Sequence, residues 1–408
     1  MSFDKLSYYK GDPLSLPKGW EIKPLGELVN IKTGKLDSNA MVDGGRYPFF
    51  TCSREIFAIN DYAFDCEAIL LAGNNASGDF NVKHYKGKFN AYQRTYVITV
   101  NDKNKILYSY LYQQLTNHLK KFKEQSLGAN TKFLKIGMIQ GMEIPLPPLP
   151  EQQRIVSILD ECFAAIAKAK ANAEQNLKNV KELFESYLQG VFEMKGEGWE
   201  ERKLNEVFEL KPQKKEARDK LKETDLVTFL PMEDLGVLNK EIVGVKERKL
   251  KDVSGSYTYF AENDVLLAKI TPCFENGKIG IARNLINGVG FGSSEYIVFR
   301  SQGSIEPEYL YYFLSRNHIR EEGRKYMSGA VGHKRVSKEW IENFLISFPK
   351  SLKSQQTLVR QLDALRAETQ KLEAIYQQKL LNLEELKKSV LQKAFAGELK
   401  TEKALTIE

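Results

Sequence analysis

The chain repeats itself over a long distance. Residues Glu151 to Phe192 align without a gap on Ser354 to Phe395, at a constant offset of 203. Identities include Gln152/Gln355, Gln153/Gln356, Leu159/Leu362, Asp160/Asp363, Leu183/Leu386 and Phe192/Phe395. Such a period is far longer than the roughly 20–50 residues of a solenoid unit. It describes a pseudo-dimer in one polypeptide, with two copies of one architecture and of one task. The 408 residues leave each copy enough chain for a core of its own.

Four blocks follow from this repeat. Residues 1–150 and 198–350 are mixed, with short β-like runs such as Ala68–Ala72 and Thr95–Val100 between loops rich in Gly and Asn. Residues 151–197 and 351–408 are each dominated by one long helix. The mixed blocks repeat more loosely: Gly19-Trp20 matches Gly198-Trp199, Tyr110-Leu111-Tyr112 matches Tyr309-Leu310-Tyr311, and Gly128-Ala129 matches Gly329-Ala330. The second copy is longer, mostly between Trp199 and Val265. The expected fold class is α+β: two mixed α/β domains in pseudo-twofold arrangement, separated by two long helices packed as an antiparallel coiled coil.

A seven-residue apolar seam carries that pairing. In the first helix it runs through Ile155, Leu159, Ile166, Val180, Leu183 and Tyr187, and in the second through Leu358, Leu362, Leu365, Leu372, Leu383 and Leu386. Polar Asn176 and Lys379 interrupt the two seams at the same position. Pro150 and Glu151 suit a first helical turn. At 1.5 Å per residue such a helix is roughly 65 Å long. Two helices that each fold back on their own domain are the competing arrangement.

Familiar catalytic signatures are missing. Phe274-Glu275-Asn276-Gly277-Lys278-Ile279 is the nearest approach to a phosphate-binding loop, and it lacks the first Gly and the Ser/Thr. The sole Pro-Pro pair, Pro147-Pro148, follows no Asn or Asp, and HExxH and GxSxG are absent. Four histidines and four cysteines show no metal-ligand spacing. His118 and His318 form a repeat pair suited to packing or helix termini. The opening residues carry acids and prolines where a secretory leader would be apolar, and no apolar run approaches the ~18 residues of a membrane span. The expectation is a cytoplasmic binding protein rather than an enzyme, with no membrane contact, metal or resident cofactor.

Net charge is +7, and most of the excess lies in the first 150 residues, which leans toward a polyanion. Cations and amides collect in predicted loops. The first copy offers Lys32, Lys35, Asn74, Asn75, Lys83, Gln93 and Arg94, then Asn130, Thr131, Lys132 and Lys135 after the Gly-Ala pair. The second offers Lys214, Lys215, Lys269, Arg283 and Arg316, then His333, Lys334 and Arg335 after its own Gly-Ala pair. Lys and Arg neutralise phosphates, and Arg, Asn and Gln can read purine edges in pairs of hydrogen bonds. A Gly-Ala loop followed by cations in both copies is the sharpest of these signals.

With these residues in place, the chain resembles the specificity subunit of type I restriction–modification systems. The most specific element is Ile144-Pro145-Leu146-Pro147-Pro148-Leu149-Pro150-Glu151-Gln152-Gln153-Arg154-Ile155, which is similar to that family's junction between a target recognition domain and a conserved helix. The second junction, Phe348 to Gln356, keeps Gln-Gln but lacks Pro-Pro and Glu. The resemblance implies two target recognition domains (1–150 and 198–350), each reading half of a bipartite site in double-stranded DNA. It also implies a central conserved helix (151–197) and a C-terminal one with its tail (351–408), acting as spacer and as dock for two methyltransferase subunits. S-adenosylmethionine and ATP would sit on partner subunits, and motor-nuclease subunits would complete the complex. A coiled-coil scaffold for proteins alone, and a self-contained methyltransferase or nuclease, are the rival readings.

Overall fold

The computed structural model describes residues 16–194, 196–242, 246–330 and 332–399. The first fifteen residues of the first block, Val331 of the second Gly-Ala loop and the tail from residue 400 lie outside the described residues. Two compact units emerge, Met1–Ala173 with Lys379–Glu408, and Glu174–Gln378. They cut across the four-block order, because each unit takes one mixed domain and one segment of each long helix.

In the first unit a six-stranded sheet runs in the order Val29–Thr33, Thr95–Val100, Phe64–Ala72, Val82–Ala91, Tyr47–Phe50, Phe57–Ile59. Both expected β-runs are therefore strands. Ala68 to Ala72 are all buried, because both faces of this strand are covered. Ile69, Leu71 and Ile98 pack under the helix Tyr108–Gln125 with Tyr110, Leu111 and Phe122, while Leu70, Phe50, Phe89 and Val97 form a second layer on the other face.

The second unit divides its strands between two sheets. One is Phe208–Leu210, Tyr296–Ser301, Val265–Ala268, Ile279–Ile281, and the other is Lys246–Lys249, Leu226–Leu230, Val289–Gly292, Thr258–Ala261. Three strands of the second sheet come from the stretch in which the second copy outgrows the first. A short ribbon closes each domain in the same way: Glu21–Pro24 pairs with Glu143–Leu146, and Trp199–Lys203 pairs with Leu345–Pro349, both antiparallel. The Gly-Trp openings lead into these ribbons. Gly19 and Gly198 sit at φ +86° and +83°, a conformation that a Cβ disfavours.

The long helices are Leu149–Glu193 and Leu352–Ala396, 45 residues each. Within each unit their segments run antiparallel. In the first unit Lys387 lies over Phe163 and Lys170 pairs with Glu384 at 2.7 Å, so one number falls as the other rises. In the second, Arg366 lies over Phe184, and Phe192 shares a core with Leu358 and Leu362.

The buried seam is not the seven-residue one. Ile155, Ile166, Leu177 and Leu188 recur every eleven residues, as do Cys162, Ala173 and Phe184, and all are buried or half-buried. On the second helix Leu358, Thr369, Leu380 and Leu391 do the same. Leu183, Leu372 and Leu386, predicted to pack between the helices, are 55%, 39% and 48% exposed, and Tyr187 is 39% exposed. Ile155, Leu159, Ile166, Val180 and Leu362 are buried as expected, and Leu358, Leu365 and Leu383 are half-buried. The reason is geometric. Eleven residues in three turns give about 3.67 per turn, near the value of a straight helix, whereas a strict heptad demands a left-handed supercoil. Asn176 and Lys379 consequently face solvent, and Leu177 and Leu380 carry the seam past them.

Candidate nucleic-acid interface

Each recognition surface begins at the junction that fixes its domain to a helix. The Gln152 side chain is fully buried. Its Oε1 accepts from the Leu107 N–H at 2.9 Å, and its Nε2 donates to the carbonyls of Lys105 and Pro147 at 2.8 Å each. Gln355 repeats the pattern with the Glu306 N–H at 2.9 Å and the carbonyls of Ser304 and Pro349 at 2.9 and 2.8 Å. Two turns along each helix an aspartate adds a second tie. Gln113 donates to Asp160 at 3.3 Å, and its repeat mate Tyr312 donates to Asp363 at 2.6 Å. Tyr110 and Tyr309 each bond a carbonyl of the closing ribbon, at 2.7 and 2.9 Å. These glutamines stand out in the sequence as repeat identities, but sequence alone gave them no role.

In the first domain the predicted loops meet at one end of the sheet. The Gly73 N–H bonds the Arg94 carbonyl at 2.8 Å, the Gln93 N–H bonds the Leu36 carbonyl at 2.8 Å, and the Leu134 N–H bonds the Gly73 carbonyl at 2.9 Å. Asn74 and Asn75 pair with Phe133 and Lys132 as a two-residue ribbon. Lys35, Asn74, Asn75, Gln93, Arg94 and Lys132 are thus neighbours in space, and Asn130 and Thr131 form the exposed tip beside them. Lys32 is exposed on the strand Val29–Thr33, and Lys135 is exposed ahead of the helix Ile136–Gln140. The Asn75 carboxamide oxygen already accepts from the N–H groups of Ser77 and Asp79, so its NH2 end is what it can offer a base. Arg54, paired with Asp79 at 2.7 Å, joins this surface although no sequence signal marked it. Lys83 is corrected. Its ammonium bonds the Ser53 carbonyl and Asn81 Oδ1, and burial pulls its pKa below the usual lysine range.

In the second domain the Gly-Ala loop again meets a strand end. The Thr271 N–H bonds the Lys334 carbonyl at 2.8 Å, the Val336 N–H bonds the Lys269 carbonyl at 2.9 Å, and the Lys269 ammonium bonds the Ser294 carbonyl at 3.0 Å. Arg335 forks onto Glu295 at 2.7 and 2.9 Å and holds that carboxyl below its ordinary pKa. His333 and Lys334 are exposed beside it, and Lys215 is exposed at the start of the helix Lys215–Lys220. Lys214 donates to the Gly255 carbonyl.

Two predicted contacts are structural instead. Arg283 is tied to Glu308 and Asn263. Arg316 is only 6% exposed, lies 4.2 Å above the Phe313 ring and 4.9 Å above Phe192, and burial lowers its pKa to about 10. Among the described residues His/Cys/Asp/Glu form no group of three or more that could hold a metal, and no helix is long and apolar enough to cross a membrane. His118 is buried with its Nδ1 2.8 Å from the Gln114 carbonyl, while His318 is exposed in the first turn of the helix Asn317–Lys325.

Two mixed domains with matching helix junctions and cationic loops define a duplicated architecture. The chain belongs to the family described as the type I restriction modification DNA specificity domain, whose profile matches residues 17–178 and 196–382. It is 40% identical over 196 residues to the specificity subunit of the type I restriction enzyme EcoDI of Escherichia coli, a match covering 47% of this chain and 42% of that protein. It is 24% identical over 341 residues to the MjaVIII specificity subunit of Methanocaldococcus jannaschii, covering 78% and 79%. The chain thus spans less than half the length of the EcoDI relative. The fold is shared with the HsdS subunit of Thermoanaerobacter tengcongensis (TM-score 0.57, 18% identity, 94% of this chain and 98% of that one). It is also shared with a chain solved in a study of complex assembly in the type I R-M system (TM-score 0.71, 19% identity, 94% and 99%).

Proposed function

We propose that this chain is the DNA-reading subunit of a type I restriction–modification complex. Each mixed domain contacts one half of a bipartite duplex site through its loop cluster. The long helices set the spacing between half-sites and dock two methyltransferase subunits. Those partners hold S-adenosylmethionine and methylate adenine, and motor-nuclease subunits that hydrolyse ATP join for cleavage. The chain itself does no covalent chemistry and works in the cytoplasm. Within family membership, one observation supports this reading most: a Gly-Ala loop followed by cations is hydrogen-bonded to a strand end in both domains.

The test is duplex binding by the assembled complex across a salt series. Affinity that falls steeply with salt and depends on both half-sites is expected, since each neutralised phosphate contributes a slope of about 0.9. Binding that ignores salt, or no binding even in the assembly, favours a protein scaffold. The spacing role has its own test. Deleting residues 169–179 and 372–382 keeps the eleven-residue seam in phase and shortens each helix by roughly 16 Å. The preferred gap between half-sites should shrink by about 5 base pairs at 3.4 Å each.

A further inference from the structure

The second domain holds an open depression of about 460 Å³ whose aromatic residues take no part in the contacts assigned above. It is lined by Phe229, Pro231, Met232, Glu233, Ser256, Tyr257, Ser293 and Ser294. Two of its lining residues are aromatic: Phe229 is 8% exposed and meets Tyr257 edge-to-face, with ring centroids 4.8 Å apart. Clefts of roughly 300–1,000 Å³ are typical of small-molecule sites, and this one carries an aromatic pair, Phe229 and Tyr257, with serines at its edge.

Charge surrounds this slot. Lys214 donates to the Gly255 carbonyl and Arg218 to the Ser254 carbonyl at 3.2 Å, both just ahead of Ser256. Lys269 donates to the carbonyl of Ser294, which lines the slot itself. Arg248 lies 5.7 Å from the centre of the Phe229 ring. Lys214 and Arg218 bond neutral carbonyls here, and Lys269 shares the field of Glu295, a carboxylate that Arg335 already holds, so cations outnumber the acid beside them. The pKa of Lys214 is lowered by burial and then by Arg218 and Lys211. Crowded cations of this kind are relieved by an anion. The acid on the rim, Glu233, lies 3.6 Å from Lys246, whose closer partner is Asp234 at 2.9 Å.

An aromatic slot ringed by cations on three separate elements matches the chemistry of a nucleotide outside the double helix: a base for the ring, phosphates for the ammonium and guanidinium groups. We propose that the slot takes a single nucleobase displaced from the stack of the bound duplex, with its face on Tyr257 and its flanking phosphates on Lys214, Arg218 and Lys269. This rests on the DNA-reading function above and adds to it a site that the first domain's loops need not share.

The experiment is a double-mutant cycle in the complete complex. Each nucleotide of the half-site read by the second domain is replaced in turn by an abasic position, and duplex affinity is measured with wild type, Tyr257→Ala and Tyr257→Leu. In wild type one abasic position should weaken binding about tenfold, in line with the loss of one stacked base. Either Tyr257 variant should weaken the intact duplex by a similar factor and gain no further penalty from that lesion. 2-Aminopurine at the coupled position should report unstacking in wild type and not in the variants. Penalties that multiply independently at every position overturn the proposal, as does a coupled base that stays stacked. Tyr257→Leu keeps apolar packing without a π-face, so the cycle can be read even where the alanine variant folds poorly. Absence of salt-dependent duplex binding by wild type would sink the recognition function itself, and the slot with it.

Discussion

The two units fasten their helices in the same way and build their sheets differently. Gln152 and Gln355 make the same three bonds, Asp160 and Asp363 accept from the same position of the packed helix, and Tyr110 and Tyr309 reach the same ribbon. Yet apart from the two-stranded ribbons, the described strands of one domain form one six-stranded sheet, and those of the other split into two sheets of four. Buried hydrogen bonds resist change because losing one partner strands the other. Loops and sheet faces that meet solvent or ligand are free of that constraint. A duplicated reader that must recognise two different half-sites would diverge in this way, with attachments kept and surfaces altered.

The strongest way to break this comparison is to cut the attachments. Gln152→Ala strands one N–H and two carbonyls in a buried junction, and Gln355→Ala does the same in the other unit. At about 1–3 kcal/mol for each stranded group, either variant should lose at least about 3 kcal/mol. Urea melts of the two variants should show losses of the same size. A large loss at one junction and none at the other would end the claim that they are equivalent.

Arg316→Ala comes next. It removes a buried guanidinium that lies over the rings of Phe192 and Phe313, so a loss of about 2 kcal/mol is expected from the desolvated cation–π contact. The salt slope of DNA binding by the complex should not move. A changed slope with unchanged stability would return Arg316 to the interface.

Smaller still are the loop cations. Lys132→Ala and Lys334→Ala should each weaken binding several-fold and reduce the salt slope by about 1, each affecting only its own half-site. Equal affinity and equal sequence preference in both variants would remove these loops from the interface.

Much of this architecture can be read from the sequence, and the failures have physical causes. The long helices, the strands at Ala68–Ala72 and Thr95–Val100 and the loop positions of Asn74, Gln93 and Lys132 follow from periodicity, turn chemistry and repetition, whereas the meeting of those loops at one sheet end does not. The seam was misplaced because a seven-residue and an eleven-residue pattern coincide from Ile155 through Ala173 and part only beyond it, where Phe184 and Leu188 replace Leu183 and Tyr187. Cations were harder. Lys83 and Arg316 look like surface charges in a string of letters, and only three dimensions show one bonded to a carbonyl and a carboxamide oxygen and the other buried over two rings. Arg54 gave no signal because its place beside Asp79 depends on two distant loops meeting.

The smallest expected effect is a response to pH set by His118. His118 is buried, and burial is the first cause lowering its pKa from the ordinary 6.5. A histidine held neutral in the fold stabilises it fully above the unfolded value. As pH falls below about 6.5 the unfolded chain takes up a proton that the folded site resists, so stability is lost toward acid. Its repeat mate His318 is exposed and offers a matched position for control. Melts at pH 7.5 and 5.5 should therefore show an acid-side loss that His118→Gln reduces, with His318→Gln as the parallel measurement. If His118→Gln leaves the pH dependence unchanged, then burial at this site does not set the proton balance of the first unit, and the asymmetry between the two histidines has no energetic consequence.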